Sequence, residues 1–488
     1  MTQVIDPTAH VQTDLYVDGA TVPAEQTLRV ADPAQPSTTV GYAAAATRRQ
    51  ALDAVAAADR AFPAWAARSA GERAELIRGA IRGLAEHRGA DAEILTRENG
   101  KILQESTIDL IVFDHRVELA VAAVDQVGTT SRLSGPPYDT EVGYVPLGVV
   151  TIIVPFNWPL AILAASLPQA LLAGNTVVVK PPPSAPLATT RVVQRVAAAL
   201  PPGVLNVVTG DDAEIGAALV SDERVAKVCF TGSPAGGRRI MAMAAETLTR
   251  VALELGGNDP ALVLDDAVLD DAALDRLVSG TFDSTGQICM AIKRLYVHRS
   301  RYAEVVEGMS ARLANQVLGH GLDPATTMGP LHTARQRDFV AELVAQARVA
   351  GAEVREFGSA PDDRFSYGHF LRPSLVLDPP SDARVVTEEQ FGPTLPIIPF
   401  DTDDEAIAAA NETWAGLCSS VWTSDRDRAA RVAARLRSGY TFVDAHGAPW
   451  LDERAPFGGL KGSGMGREMG VEGLREFMDT HSVAFPSG

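Results

Sequence analysis

From Val149 onward the chain alternates short, strongly apolar runs with longer helix-like segments. Val149-Val150-Thr151-Ile152-Ile153-Val154 precedes a helical stretch over 160–172, and Val177-Val178-Val179 precedes another over 188–200. The run 204–208, the helical stretch 213–220, the run 225–230 and the helical stretch 237–246 continue the series. Strands apolar on both faces, separated by helices, predict a parallel sheet covered on both sides. Sheets of this kind take ligands beyond the carboxyl ends of their strands. That rule puts residues 155–158, Lys180, Gly210 and residues 231–233 on one rim, and a dinucleotide is the occupant it suggests.

The rest of the pattern is less uniform. Asp18-Gly19 inside 15–22 predicts a hairpin with a type I′ turn. The Ala-rich stretch 47–101 reads as helical, with Ser69 and Glu72 as a capping box and Gly100 as its end. Residues 121–144, around Pro136-Pro137-Tyr138, show no helical period and read as a surface excursion. After Asn258 a second α/β pattern begins. Its strand-like runs are 261–264, 294–298, 374–377, 396–399 and 419–422, and its helices lie around 272–279 and 302–314. Residues 351–363 read as loop, and 480–485 as a short strand.

A chain of 488 residues exceeds one hydrophobic core and predicts two or three domains. A net charge of −18 argues against nucleic acid and anionic lipid as partners. No apolar run reaches the ~20 residues of a membrane span, and residues 1–20 lack a secretory pattern. Three scattered cysteines suit a reducing compartment, so the expected location is the cytoplasm. No CxxC or HExxH pattern is present, and no metal is expected.

Chemistry concentrates between Leu253 and Arg294. Glu254 ends the apolar run Val251-Ala252-Leu253, where a carboxylate is costly without a partner or a role. Burial would raise its pKa and suit it to general-base work. Cys289 follows Gly286-Gln287-Ile288. A lone cysteine is more often an apolar filler, and Cys229 and Cys418 are read that way. Asn157 sits in Pro155-Phe156-Asn157-Trp158-Pro159, a stiff loop after the first buried strand, where an asparagine could also simply form a turn. Phe230-Thr231-Gly232-Ser233-Pro234-Ala235-Gly236-Gly237 follows a strand and opens a helix, so its amides could meet a pyrophosphate. Gly462-Ser463-Gly464-Met465-Gly466 has no preceding strand and reads as a tight turn.

Taken together, Glu254-Leu255-Gly256-Gly257-Asn258, Gly286-Gln287-Ile288-Cys289, the Asn157 loop, Glu389-Gln390-Phe391-Gly392-Pro393 and Pro456-Phe457-Gly458-Gly459 resemble signature stretches of the aldehyde dehydrogenase superfamily. The resemblance implies an α/β chain with a Rossmann-like parallel-sheet cofactor domain (1–120 and 145–255) and an α/β catalytic domain (256–452). An oligomerisation arm and tail (121–144 and 453–488) would build a homodimer or homotetramer. It implies Cys289 as nucleophile, Glu254 as base and Asn157 as an oxyanion donor. The product would be a free acid, since branches that transfer the acyl group to coenzyme A usually lack this glutamate. For the cofactor it implies Val154, Pro155, Trp158, Lys180, Gly210, Gly216, Thr231, Gly232, Ser233, Gly237, Leu255, Gly256, Glu389 and Phe391. Pro183 stands where the family usually has a ribose-binding glutamate, so NAD is the expected cofactor with NADP left open.

Matching the family's entrance funnel adds Ile162, Ala165, Ile288, Met290, His446 and Trp450 as a substrate pocket. Its apolar lining, and the lack of Arg or Lys from 157 to 179, point to a medium-sized apolar or aromatic aldehyde. A semialdehyde-specific relative and a non-catalytic descendant are the alternatives.

Overall fold

Strand Val149–Ile153 is the pivot of the computed structural model, which describes residues 10–360 and 363–486. It pairs in parallel with Thr176–Lys180 on one side and Val225–Gly232 on the other. Leu205–Val207 and Arg250–Leu255 extend the parallel core outward. Chain order therefore reverses between Val149–Ile153 and Val225–Gly232, which makes that crevice the topological switch point. All five residues of Val149–Ile153 and of Thr176–Lys180 are buried, as the uninterrupted apolar runs require. The hairpin Leu15–Val17 and Ala20–Val22 closes one edge, with Asp18 and Gly19 at positive φ as the Asp-Gly pair predicts.

Helix Pro159–Ala173 is apolar nearly all round and is almost wholly buried. Its end is held by Trp65, whose Nε1–H donates to Leu171 O at 3.0 Å, and by Arg73, whose Nε–H donates to Leu172 O at 2.8 Å. The Ala-rich stretch divides into three helices, Arg48–Ala66, Ala70–Ala80 and Leu84–Asn99. Ser69 and Glu72 form the capping box, and Gly100 ends the third helix in the left-handed region.

A second sheet has the spatial order Glu353–Glu356, Ser374–Leu377, Thr394–Phe400, Ile292–His298, Asp259–Val263, Cys418–Trp422, Tyr440–Val443. It is parallel except at its first strand. The α/β class with two parallel-containing sheets is as expected. A third, antiparallel sheet joins Ser131–Leu133, Tyr138–Pro146 and Met478–Pro486.

Three local readings change, and one strand pair adds to them. Residues 351–363 contain the strand Glu353–Glu356, paired antiparallel with Ser374–Leu377, while 361–362 lie outside the described residues. Helix Leu103–Ala122 runs to residue 122, so the excursion is a strand pair beginning at Ser131 and ending at Pro146. Gln26–Asp32 and Gln35–Ala45 form an N-terminal antiparallel pair that was not among the expected elements. The stretch 462–466 is more than a turn: Gly464–Met465 pairs antiparallel with Leu253–Glu254 and edges the first sheet. A Cβ at Gly464 would lie 1.9 Å from Leu253 O, so only glycine permits that approach. Among the described residues no helix is long and apolar enough to cross a membrane.

Candidate active site

The switch point opens into a cavity of about 270 Å³. Pro155, Phe156 and Asn157 reach it from the strand Val149–Ile153, and Thr231, Gly232 and Ser233 from Val225–Gly232. Glu254, Leu255 and Gly256 enter from the next strand, Cys289 and Glu389 from the second α/β unit. The crevice thus brings Cys289, Glu254 and Asn157 to one space.

Cys289 follows an unusual turn. Ser284, Thr285 and Gly286 all have positive φ (53°, 58° and 71°). Two consecutive non-glycine residues in that region cost roughly 1–3 kcal/mol each. The turn is pinned from several sides. Glu105 accepts from Ser284 N–H at 2.6 Å, Thr285 Oγ1–H donates to Gly329 O at 3.0 Å, and Gln287 Oε1 accepts from His332 N–H at 2.9 Å. Asn157 Nδ2–H donates to Gln287 O at 2.9 Å, which ties the amide to the loop carrying the thiol and leaves its second N–H free of a protein partner.

The loop bearing Asn157 is fixed from beneath. Buried Lys101 donates to Asp109 Oδ2 at 2.7 Å and to Asn157 O at 3.0 Å. Asp109 Oδ1 accepts from Ala161 N–H at 2.6 Å, and Asn99 Nδ2–H donates to Phe156 O. Lys101 Nζ also lies 4.2 Å from the centre of the Trp158 ring.

Burial governs the charges. Glu254 is enclosed, and desolvation followed by the nearby Glu468 carboxylate raises its pKa well above the usual range. Its Oε2 has no hydrogen-bond partner. Part of the Cys289 side chain opens to the cavity, but the thiol lies deep in the protein and burial pushes it up to about 12. Lys293 opposes that rise; its Nζ donates to Ile288 O at 2.8 Å and Cys289 O at 3.2 Å and sits 3.5 Å from Glu389 Oε1.

The cavity suits a dinucleotide on structural grounds. Helix Pro234–Ala244 points its N-terminus into it, with Ser233 as N-cap and proline at its first position. A Cβ at Gly237 would meet Leu255 Cδ2 at 2.7 Å, so glycine lets this helix press onto the neighbouring strand. A Cβ at Gly256 would meet Glu389 Oε2 at 2.0 Å, so glycine also lets Glu389 reach the same space. Phe391 lines it too, held at φ 46° with its ring edge-on to Phe156 at 6.2 Å. Lys180 ends its strand on the same rim, buried and paired with Asp212.

The other expected residues divide. Ile162 lines the cavity. Ala165 and Met290 belong to an apolar cluster with Phe442, Leu451, Phe457 and Met469, against which Ile288 and Cys289 pack. His446 does not line the cavity. It is buried, with Nδ1 2.9 Å from Ser420 Oγ and Nε2 2.9 Å from Met290 O, and burial drives its pKa down to about 3. Both ring nitrogens are thus engaged, and the ring props the chain just after the thiol. Trp450 is half exposed at 51%, beside Arg276. Trp158 turns away, donating to Ser284 Oγ at 3.0 Å; Phe156, two positions earlier, is the aromatic that faces the cavity. Val154, Lys180, Gly210, Gly216 and Gly237 do not line the cavity. Gln336 and Phe339 do line it, from helix Ala334–Val349. Their i, i+3 spacing put both on one helix face, but no motif marked them.

A thiol, a buried carboxylate and an amide donor beside a helix N-terminus define a site for covalent chemistry on a carbonyl compound. The aldehyde dehydrogenase family model matches residues 21–483, and the chain belongs to that family. It is 37% identical to glutarate-semialdehyde dehydrogenase of Pseudomonas aeruginosa over 472 residues, 95% of each chain. It is 35% identical to the NADP(+) succinate-semialdehyde dehydrogenase of Escherichia coli over 435 residues, 88% of each. The crystal structure of Staphylococcus aureus betaine aldehyde dehydrogenase in complex with NAD+ is similar with a TM-score of 0.92 at 31% identity, covering 97% of this chain and 95% of that one.

Lys101→Met should leave Asp109 charged and unpaired in the interior, at a cost of about 3–5 kcal/mol. The expected result is a clear drop in the thermal midpoint, partly restored in Lys101→Met/Asp109→Asn. An unchanged midpoint would show that the pair does not hold the loop.

Proposed function

We propose that the chain oxidises a medium-sized apolar or aromatic aldehyde to its carboxylic acid with NAD, in the cytoplasm, with Cys289 as nucleophile, Glu254 as base and Asn157 as oxyanion donor. The observation that carries the substrate class is the apolar cluster packed on Cys289, formed by Ala165, Met290, Phe442, Leu451, Phe457 and Met469.

The thiol of Cys289 adds to the aldehyde carbon. The new C–S bond forms as the carbonyl π pair moves to oxygen and the thiol proton passes to a base. The free N–H of Asn157 Nδ2 and the Cys289 backbone N–H stabilise that oxygen. The nicotinamide cofactor, when bound, supplies the hydride acceptor. Thr231 to Ser233, the helix N-terminus and Glu389 would hold it. With the aldehyde C–H bond broken, its hydrogen lost as hydride to that acceptor and the C=O re-formed from the oxygen pair, a thioester on Cys289 would remain. Glu254 takes a proton from water, whose oxygen attacks the thioester carbon; the C–S bond breaks and the acid leaves with the thiol restored.

Because Glu254 is raised, its basic form appears only as pH climbs through that raised value. Steady-state turnover should therefore increase with pH above the ordinary carboxylate range. Glu254→Gln should lower kcat by about 10²–10⁴-fold and flatten this rise, while Cys289→Ala should abolish turnover. A Glu254→Gln profile that keeps the wild-type slope would assign the base elsewhere.

Absorbance at 340 nm across an aldehyde panel tests the substrate. Hexanal and benzaldehyde should give kcat/KM values above that of succinic or glutaric semialdehyde. The reverse order would move the chain to the semialdehyde class that its P. aeruginosa and E. coli relatives represent.

The third sheet supports a homodimer or homotetramer built through the arm. Leu133, Tyr138, Val145, Val483 and Phe485 are exposed on it, apolar surface of the kind that marks an interface. Light scattering should give a mass at least twice 51.6 kDa. A monomer mass would remove the arm's assigned role.

A further inference from the structure

Lys180 and Asp212 form a lopsided pair at the far end of the rim. The Lys180 side chain is 2% exposed, whereas that of Asp212 is 74% exposed. Lys180 closes the strand next to the pivot, and Asp212 opens helix Asp212–Val220, whose N-cap is Asp211. Among the described residues Asp212 is the acid in ion-pair contact with this ammonium group. The residues directly after the lysine, Pro181, Pro182 and Pro183, bring no charge. The carboxylate that faces this ammonium group therefore comes from a different loop.

We propose that Asp212 is the specificity carboxylate for the adenosine ribose, a step that rests on reading this rim as the cofactor site. A carboxylate there accepts a hydrogen bond from the free 2′-hydroxyl of NAD. The same carboxylate neutralises Lys180 and confronts the 2′-phosphate of NADP with a like charge, so the cation that would welcome that phosphate is already occupied. Exposure of Asp212 means that the repulsion is screened by salt.

Isothermal titration of the purified, full-length protein with NAD and with NADP tests this without turnover. Wild type should bind NADP about tenfold more weakly than NAD, a gap that narrows as salt is raised. Asp212→Asn should tighten NADP by about tenfold while changing NAD by less than about threefold, because Lys180 is then free for the phosphate. Asp211→Asn removes an equal charge from the adjacent N-cap position and should leave the ratio alone. Unchanged NADP affinity in Asp212→Asn, or an equal shift in Asp211→Asn, would overturn the assignment while leaving the cofactor site intact. Failure of wild type to bind either dinucleotide would overturn the cofactor reading itself, and the inference with it.

Discussion

The left-handed turn Ser284-Thr285-Gly286 is the constraint on which the site depends. Two residues with Cβ atoms are held where such residues rarely stay, and the third must be glycine, because a Cβ at Gly286 would lie 2.3 Å from Gly392 O. A turn under that strain persists only where its surroundings over-determine it. Here Glu105, Gly329, His332 and Asn157 each hold one backbone or side-chain group of the segment. The loop at Gly392 is strained in turn, since Phe391 sits at φ 46°. Two strained loops thus fit back to back, and the thiol and the Glu389–Phe391 segment are fixed relative to each other rather than independently.

The same enclosure explains the resting charge state. Desolvation keeps both the Cys289 thiol and the Glu254 carboxyl towards their neutral forms. Lys293 is the cation that opposes this for the thiol, and it spends its donors on the Ile288 and Cys289 carbonyls beside Glu389. In the proposed chemistry the thiol therefore ionises as it attacks, and the carboxylate must stay basic enough to take a proton afterwards. A buried acid with one unpartnered oxygen meets that need better than a solvated one would.

Much of this was legible in the sequence where a local rule had a single outcome. The runs at 149–154 and 177–179 could only be strands buried on both faces, and the rim followed from them. Asp18-Gly19, Ser69 with Glu72, and Gly100 each set a backbone conformation through their own chemistry. What could not be read depends on partners far along the chain. Nothing near Ser284 or Thr285 signals positive φ, because Glu105 and Gly329 impose it. His446 looked available for substrate until Ser420 and the Met290 carbonyl took both its nitrogens. Phe156 and Trp158 sit in one short motif, and only the Lys101 cluster and Ser284 decide which ring turns inward. The strand Gly464–Met465 was hidden because its partner, Leu253–Glu254, lies some two hundred residues upstream.

The strand carrying Glu254 is clamped by a segment from the chain's end, while the loop carrying Asn157 is clamped by the Lys101 pair near its beginning. Cys289 comes from the second α/β unit, and the turn before it is tied to the first through Asn157, Glu105 and Trp158. Relative motion of the two units would accordingly change the thiol's distance to both groups together. Covalent catalysis tolerates little such motion, since misplacement by about 1 Å can cost 10²-fold. The buried anchors Lys101–Asp109 and Glu105 therefore act on the chemistry without touching a reactant: they make one rigid frame of three loops that the sequence keeps far apart.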